Sequence, residues 1–275
     1  MPLRLRQGRP RAGAAQLAPG LAPAELAYQL DDAEPSLLMV EPGLSELGER
    51  SAEAASRPAP PRLGLDAAGL EALAGTGEAG RPVEVGTEVG DDDPIFLLYT
   101  SGTTGRPKGA VLTHANCFWT NLSLDHMIGL TGSDVVLSVL PQCHVGGWNV
   151  QPLLAWWKGA RVVLEPTFDP GRCLRLISSE RVSAMMGVPA TYAFLAGAPG
   201  FVEADLSSLR LAVVGGAPMP EALLQTWRRR GVAISPRRRR HPRRERRARR
   251  RAGPRRAGGA GAERVRRLLE GPRRH

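Results

Sequence analysis

Between Val135 and Ile234 the chain alternates two patterns, and that alternation restricts its fold more than any other feature. Short β-branched or apolar runs at Val135–Leu140, Arg161–Leu164, Val182–Met186 and Leu211–Val214, and from Val232 onward, read as strands. The segments between them, Gly146–Lys158, Pro170–Glu180, Thr191–Leu195 and Pro220–Arg230, read as helices. Such alternation predicts an α/β fold of layered, mostly parallel sheets with flanking helices. Upstream, Pro23–Leu30 reads as a helix with Pro in its first turn, followed by a strand at Leu37–Val40. Another helix is expected from His114, capped by Thr113, with Ala115, Phe118, Trp119 and Leu122 on one face. The Ala-, Gly-, Glu- and Pro-rich stretch 41–93 offers only a short helix at Leu65–Ala74 and a loop from Gly75 to Asp93. Asp91, Asp92 and Asp93 read as a solvated end to that loop rather than a metal site.

Residues Tyr99 to Gly109 read Tyr-Thr-Ser-Gly-Thr-Thr-Gly-Arg-Pro-Lys-Gly, between apolar runs at Ile95–Leu98 and Ala110–Leu112. A buried strand entering a loop of glycines and hydroxyls can present backbone N–H groups to a phosphate chain. Gly102, Gly105 and Gly109 permit tight turns and close approach of a ligand. Thr100, Ser101, Thr103 and Thr104 supply hydroxyls, and Lys108 supplies a point charge. No Ser or Thr follows the lysine, so this is not the Walker pattern. On composition alone, the same residues also suit a flexible turn between strands. Two later loops share the strand-to-glycine form. Pro141-Gln142-Cys143-His144-Val145-Gly146-Gly147 carries a histidine at a strand end, and Val214-Gly215-Gly216-Ala217-Pro218 a strand running into paired glycines. Read alone, the first is a histidine capping carbonyls and the second an ordinary strand-to-helix turn.

The net charge of +10 is unevenly spread. The segment Ser235–His275 holds 18 Arg and 3 Glu, hence +15, which leaves −5 for everything before it. That segment has one Val and two Leu, too few to offset chain entropy, so a disordered Arg/Pro-rich tail is expected over 235–275. Residues 1–20 are likewise patternless, which leaves 21–234 as the ordered body. Cys117, Cys143 and Cys173 are far apart with no Cys-x-x-Cys pair, which argues against zinc or a disulfide framework and for buried thiols in a reducing compartment. No apolar run reaches membrane-spanning length and no secretory signal is evident, so a cytoplasmic location is expected.

The run at 99–109 resembles the signature loop of the adenylate-forming superfamily, the acyl- and aryl-CoA synthetases, peptide-synthetase adenylation domains and luciferases. The histidine loop resembles that family's Pro-x-x-His-x-x-Gly motif, and 213–220 its adenine-facing Gly-Ala-Pro loop, in the same order along the chain. The resemblance implies a partial N-terminal AMP-binding domain. It also implies that a carboxylic acid, most readily a fatty acid, is activated by ATP and Mg2+ to an acyl-adenylate and passed to coenzyme A. It would assign the β- and γ-phosphates to Thr100, Ser101, Gly102, Thr103, Thr104, Gly105 and Lys108. Adenine would fall to Gly215, Gly216, Ala217 and Pro218, the border of the acid pocket to His144, and a metal contact to Thr104. The stretch Met186–Tyr192 would adjoin the acyl pocket, or be simple core. Two departures bear on activity. Where the family continues with an aromatic-Gly-x-Thr-Glu motif, this chain reads Ser235-Pro236-Arg237-Arg238, and its only lysines are Lys108 and Lys158. The family's ribose-binding aspartate, hinge and C-terminal domain have no counterpart either. The expectation is a fragment of low or no turnover, with residues from Ser235, and those before about Leu21, as frame-shifted text. Two alternatives stand beside it: a non-catalytic nucleotide-binding pseudoenzyme, and a basic protein that binds nucleic acid through its arginines.

Overall fold

The computed structural model describes residues 14–15, 17–69, 71, 89–100 and 106–236. The expected phosphate loop at Ser101–Gly105 and the Arg-rich segment from Arg237 fall outside them. In chain order the first elements are β1 (Ala14–Ala15), α1 (Pro23–Ala33), β2 (Leu38–Val40), a single 3-10 turn at Pro42–Leu44, α2 (Ser45–Ala54) and β3 (Arg62–Gly64). Next come β4 (Pro94–Thr100), β5 (Lys108–Thr113), α3 (His114–Ile128), β6 (Val135–Ser138), α4 (Val145–Trp148), α5 (Pro152–Lys158) and β7 (Arg161–Leu164). The chain then alternates through α6 (Pro170–Ser179), β8 (Ala184–Gly187), α7 (Pro189–Gly197), β9 (Leu211–Val214), α8 (Glu221–Arg229) and β10 (Ile234–Pro236).

The predicted α/β architecture is present. β10, β9, β8, β6 and β7 form, in that order, one wholly parallel sheet. Alternate strand residues bury opposite faces, as the two-residue period of a strand requires. Val136 and Ala184 pack with Leu124 of α3 and Leu154 and Ala155 of α5. Leu137, Met185, Ala212 and Val214 pack on the other side with Ile177 of α6, Tyr192 and Leu195 of α7, and Trp227 of α8. Leu137, Met185, Ile177, Leu195 and Trp227 are fully enclosed, and each such side chain contributes about 1.5–3 kcal/mol. At the amino ends of the strands one carboxylate joins three of them. Asp134, just before β6, accepts hydrogen bonds from Ser183 Oγ (2.6 Å) before β8 and from Arg210 Nε (3.0 Å) before β9. It also accepts from Thr131 N (2.7 Å) and Thr131 Oγ1 (2.9 Å). This leaves the opposite, carboxyl edge to the loops that carry the motifs.

A smaller sheet, ordered β1-β4-β5, stands apart from the large one. β4 and β5 are antiparallel, so the signature run bridges a hairpin. Tyr99 is buried and its hydroxyl donates to Asp32 Oδ2 (2.8 Å), which ties β4 to α1. Ala14 and Ala15 pair with Phe96 and Leu97, so a strand lies within the stretch 1–20 that showed no pattern.

Four sequence expectations need correction. α2 and β3 lie in the stretch 41–93 that offered no such elements. α2 buries only Ser51 and Ala52, and it packs on α1, so tertiary contact rather than periodicity makes it a helix. The helix expected over Gly146–Lys158 is broken into α4 and α5. Pro152 has no N–H to continue the first and suits the first turn of the second. α3 is capped by Thr113 as expected, with Thr113 Oγ1 accepting from Asn116 N (3.3 Å). Its buried face, however, is Cys117, Asn121 and Leu124, while Phe118, Trp119 and Leu122 face solvent. Pro220 is the N-cap of α8 rather than its first residue. The Leu65–Ala74 helix is helical at 67–69, and its end lies outside the described residues. The three cysteines are free and buried. No described helix is long and apolar enough to cross a membrane.

Candidate active site

In an open parallel sheet, ligands collect at the carboxyl edge, where two neighbouring strands send their connections in opposite directions. Here that point lies between β6 and β8. β6 connects to β7 on one side, and the chain returns past β6 to β8 before continuing to β9 and β10 on the other. The loops leaving this pair and β9 carry two of the three sequence motifs.

After β6, residues 139–144 turn back so that His144 N donates to Pro141 O (3.2 Å) and Gly147 N to His144 O (3.0 Å). Gly147 is obligatory, since a Cβ there would lie 2.2 Å from Pro141 O. His144 sits at the N-cap of α4, exposed, and its side chain makes no capping hydrogen bond. The imidazole, exposed and not used to cap the helix, is open to a ligand. Beneath it Gln142 Nε2 donates to Gly147 O (2.9 Å) and Ser138 Oγ (3.1 Å), which stiffens the turn.

After β9, Gly215 N donates to Gly187 O (3.2 Å), which extends the ladder one step beyond β8. Gly216 then takes φ +80°, a conformation that favours glycine, and Gly216, Ala217 and Pro218 lie exposed. A Cβ on Gly215 would meet Met186 Cε at 2.9 Å. Met186 also lines a small cavity together with Gly146 and Gly147, so the two loops meet across this one side chain. The apolar stretch Met186–Tyr192 thus divides. Met186 borders the crevice, while Tyr192 is core, its hydroxyl donating to Val213 O (2.9 Å) and burial pushing its phenol well up.

The third motif comes into the same neighbourhood through its strand. Phe96 of β4 stacks edge-on against Trp148, at the end of α4, with ring centroids 5.0 Å apart. At the loop end of the hairpin Thr100 pairs with Lys108, Thr100 Oγ1 donating to Lys108 O (3.4 Å), and both residues are exposed. Gly109 has a packing role as well. It lies in β5, where a Cβ would fall 2.8 Å from Leu97 Cδ1. Ser101, Gly102, Thr103, Thr104 and Gly105 lie outside the described residues. Among those described, no cluster of three His, Cys, Asp or Glu could hold a metal ion. Asp93 accepts from Gly90 N (2.9 Å), and the main-chain carbonyls of Asp91 and Asp93 receive the first amides of α3. Lys158 is held by Asp125 at 3.0 Å.

Sequence reading passed over three residues of this edge. Glu165, just after β7, is buried and forms a forked pair with Arg172, through Arg172 Nε and Arg172 Nη2 (3.1 Å). Burial, with the Glu165 charge second, pushes the nearby Cys173 thiol up to about 11. Gln151, 2% exposed, lines the cavity under the His144 turn. Its only signal in the sequence is an amide set between Val150 and the apolar run Pro152–Ala155.

A parallel α/β sheet with two glycine loops and an open histidine at its switch point defines a small-molecule-binding domain of the nucleotide-using kind. The AMP-binding enzyme family matches residues 7–236, and the chain belongs to it. It is 41% identical over 146 residues to a feruloyl-CoA synthase of an Amycolatopsis species, covering 53% of this chain and 30% of that protein. It is 36% identical over 220 residues to indoleacetate–CoA ligase of Aromatoleum aromaticum, covering 78% and 42%. The inhibitor-bound N-terminal domain of FACL13 from Mycobacterium tuberculosis superposes with a TM-score of 0.72 at 29% identity, covering 81% of this chain and 55% of that one. The chain spans less than half the length of these two curated relatives.

Proposed function

We propose that the chain carries the acid- and nucleotide-binding half of an acid–thiol ligation. In that reaction a carboxylate oxygen attacks the α-phosphorus of ATP, and the bond to pyrophosphate breaks. The sulfur of coenzyme A then attacks the acyl carbon, and AMP leaves. Positioning and charge neutralisation carry such chemistry. The hairpin end from Thr100 to Lys108 would take the β- and γ-phosphates, Gly215 to Pro218 the adenine, and His144 the border of the acid site. The observation that carries this reading is the convergence of the His144 turn and the Gly215 turn on one side chain, Met186, at the switch point. Magnesium would enter with the triphosphate, because the described residues offer no carboxylate cage for it. Both aryl relatives named above favour an aryl or comparable acid, and a fatty acid fits the same chemistry.

Turnover is expected to be weak. The sequence that follows β9 and its helix reads Ser235-Pro236-Arg237-Arg238, with no Thr-Glu pair at the end of β10. A purely nucleotide-binding role is the reading that follows if turnover is nil. The arginines from 237 onward favour only salt-dependent, sequence-blind contact with nucleic acid.

Calorimetry with ATP tests the first step of the proposal. Wild type should bind, and Lys108→Ala should bind about tenfold or more weakly, the loss expected for one charge-assisted phosphate contact. ATP–pyrophosphate exchange with a panel of aryl and fatty acids tests the second. A folded preparation with no affinity for any adenine nucleotide ends the reading.

A further inference from the structure

The cavity at the switch point is small, about 10 Å³, room for the centre of one water-sized group. Leu137 and Ser138 of β6, Gly146 and Gly147 of the His144 turn, Met186 and Gln151 are among the residues around it. Gln151 is 2% exposed, and neither Nε2 nor Oε1 of its amide has a hydrogen-bond partner. An amide buried without partners costs about 1–3 kcal/mol. Leucine or methionine would fill the same space without that cost, and the flanking residues Val150, Pro152, Leu153 and Leu154 are apolar. The amide is therefore poor material for the core and good material for a ligand.

Its chemistry narrows that ligand. Gln151 offers one donor group and one acceptor side by side. A carboxylate, acceptor only, would leave Oε1 facing another oxygen. A hydroxyl gives and receives, and the cavity volume admits a hydroxyl and little more. Gly147 in its wall must stay a glycine, since a side chain there would strike Pro141 O. On the side of the exposed Gly215 turn the cavity is bounded by Met186, an unbranched side chain able to shift rotamer.

We propose that Gln151 is a specificity-determining residue, hydrogen-bonding a hydroxyl on the part of the acid substrate remote from its carboxylate. The chain thereby selects hydroxylated acids over counterparts that lack the hydroxyl. This rests on the reading that the His144 turn borders the acid site. A pocket with a polar group awaiting its partner discriminates strongly against a ligand that cannot supply one.

The test is calorimetric titration of the full chain with two matched pairs of acids. One pair is 3-phenylpropanoic and 3-(4-hydroxyphenyl)propanoic acid, the other hexanoic and 6-hydroxyhexanoic acid, and ATP is titrated separately. Wild type should prefer the hydroxylated member of at least one pair by about tenfold or more, and the pair that responds identifies an aryl or an alkyl carrier. Gln151→Leu should shrink that ratio to about twofold or less. The ratio is the readout, because a folding defect weakens both members alike. Equal affinities within both wild-type pairs overturn the proposal whatever the variant does, as does a preference that survives in Gln151→Leu. ATP binding with no acid binding overturns it and leaves the nucleotide reading standing. Binding of neither ATP nor acid overturns both.

Discussion

Gly146 and Gly147 are neighbours in one short helix, yet their environments differ completely. A methyl on Gly146 would meet only Leu140 Cδ1 at 3.9 Å, an ordinary contact, whereas on Gly147 it would overlap Pro141 O. The carbonyl belongs to the turn that presents His144 and cannot withdraw without losing the hydrogen bond it accepts from His144 N. Gly147→Ala should therefore lower stability by about 3 kcal/mol, the scale of overpacking a rigid site, and Gly146→Ala should stay within about 0.5 kcal/mol of wild type. Urea denaturation of the two variants checks the contrast. Equal losses would mean that the turn yields freely and does not hold the histidine. The same argument separates the glycines of the signature run, where Gly109 answers to Leu97 across the hairpin. A glycine's role was thus not legible from its motif: sequence gives the missing side chain but not the atom that forbids one.

Elements were legible where periodicity and punctuation agree. The strands β6, β7, β8 and β9 are short apolar runs bounded by helical segments, and the parallel sheet follows from that spacing. α3 shows both sides of the matter. Thr113 reads as an N-cap and acts as one, reinforced by Asn116 Oδ1 accepting from Thr113 N (3.1 Å). Thr113→Ala should cost about 1 kcal/mol, the usual worth of such a cap. The check is the urea midpoint at constant slope; no change would mean that β5, not the cap, fixes the start of the helix. The residues that share the 115–122 face are not the ones that α3 buries. Phe118 and Trp119 lie outside with Trp157 packed edge-on to Phe118, while the smaller Cys117, Asn121 and Leu124 go inward. Pro152 could have been read as a break within 146–158, and the polar pair Asn149 and Gln151 just before it as the turn. α2 carried no comparable mark, because its helicity comes from α1 and from Asp31, which accepts Ser56 N and Arg57 N at 2.9 Å each just beyond its end. At the site, the three motifs and their order were legible. The meeting of the second and third at Met186 was not, since strand order is not written in any local segment.

For the molecule as a whole, the chain before Ser235 carries −5 and the remainder +15, so protonating the carboxylates in acid turns the mildly acidic part positive as well. Superimposed on this general repulsion is a specific loss at the amino edge of the large sheet. Burial alone would raise the Asp134 carboxyl, but donors from Arg210, Ser183 and Thr131 outweigh it and hold the group below its ordinary range. A carboxyl whose folded value is depressed stabilises the protein fully above its unfolded value, and that stability drains away as pH falls through the folded one. Stability should therefore be flat from neutral pH down to about pH 5 and fall steeply below about pH 4, where the free carboxyl begins to protonate. Asp134→Asn separates the specific part from the general one. It should cost about 2 kcal/mol at pH 7, because the buried end of the Arg210 pair loses its charge. Its curve should then converge on wild type as acid neutralises Asp134 in the parent as well. Urea unfolding of both proteins from pH 7 to pH 2.5 measures this; parallel curves with a constant gap would show that the three strand ends are held by packing and not by the carboxylate. Because β6, β8 and β9 lead directly to the His144, Met186 and Gly215 positions, Asp134→Asn should also weaken ATP binding at pH 7, and calorimetry of the variant beside wild type measures the loss.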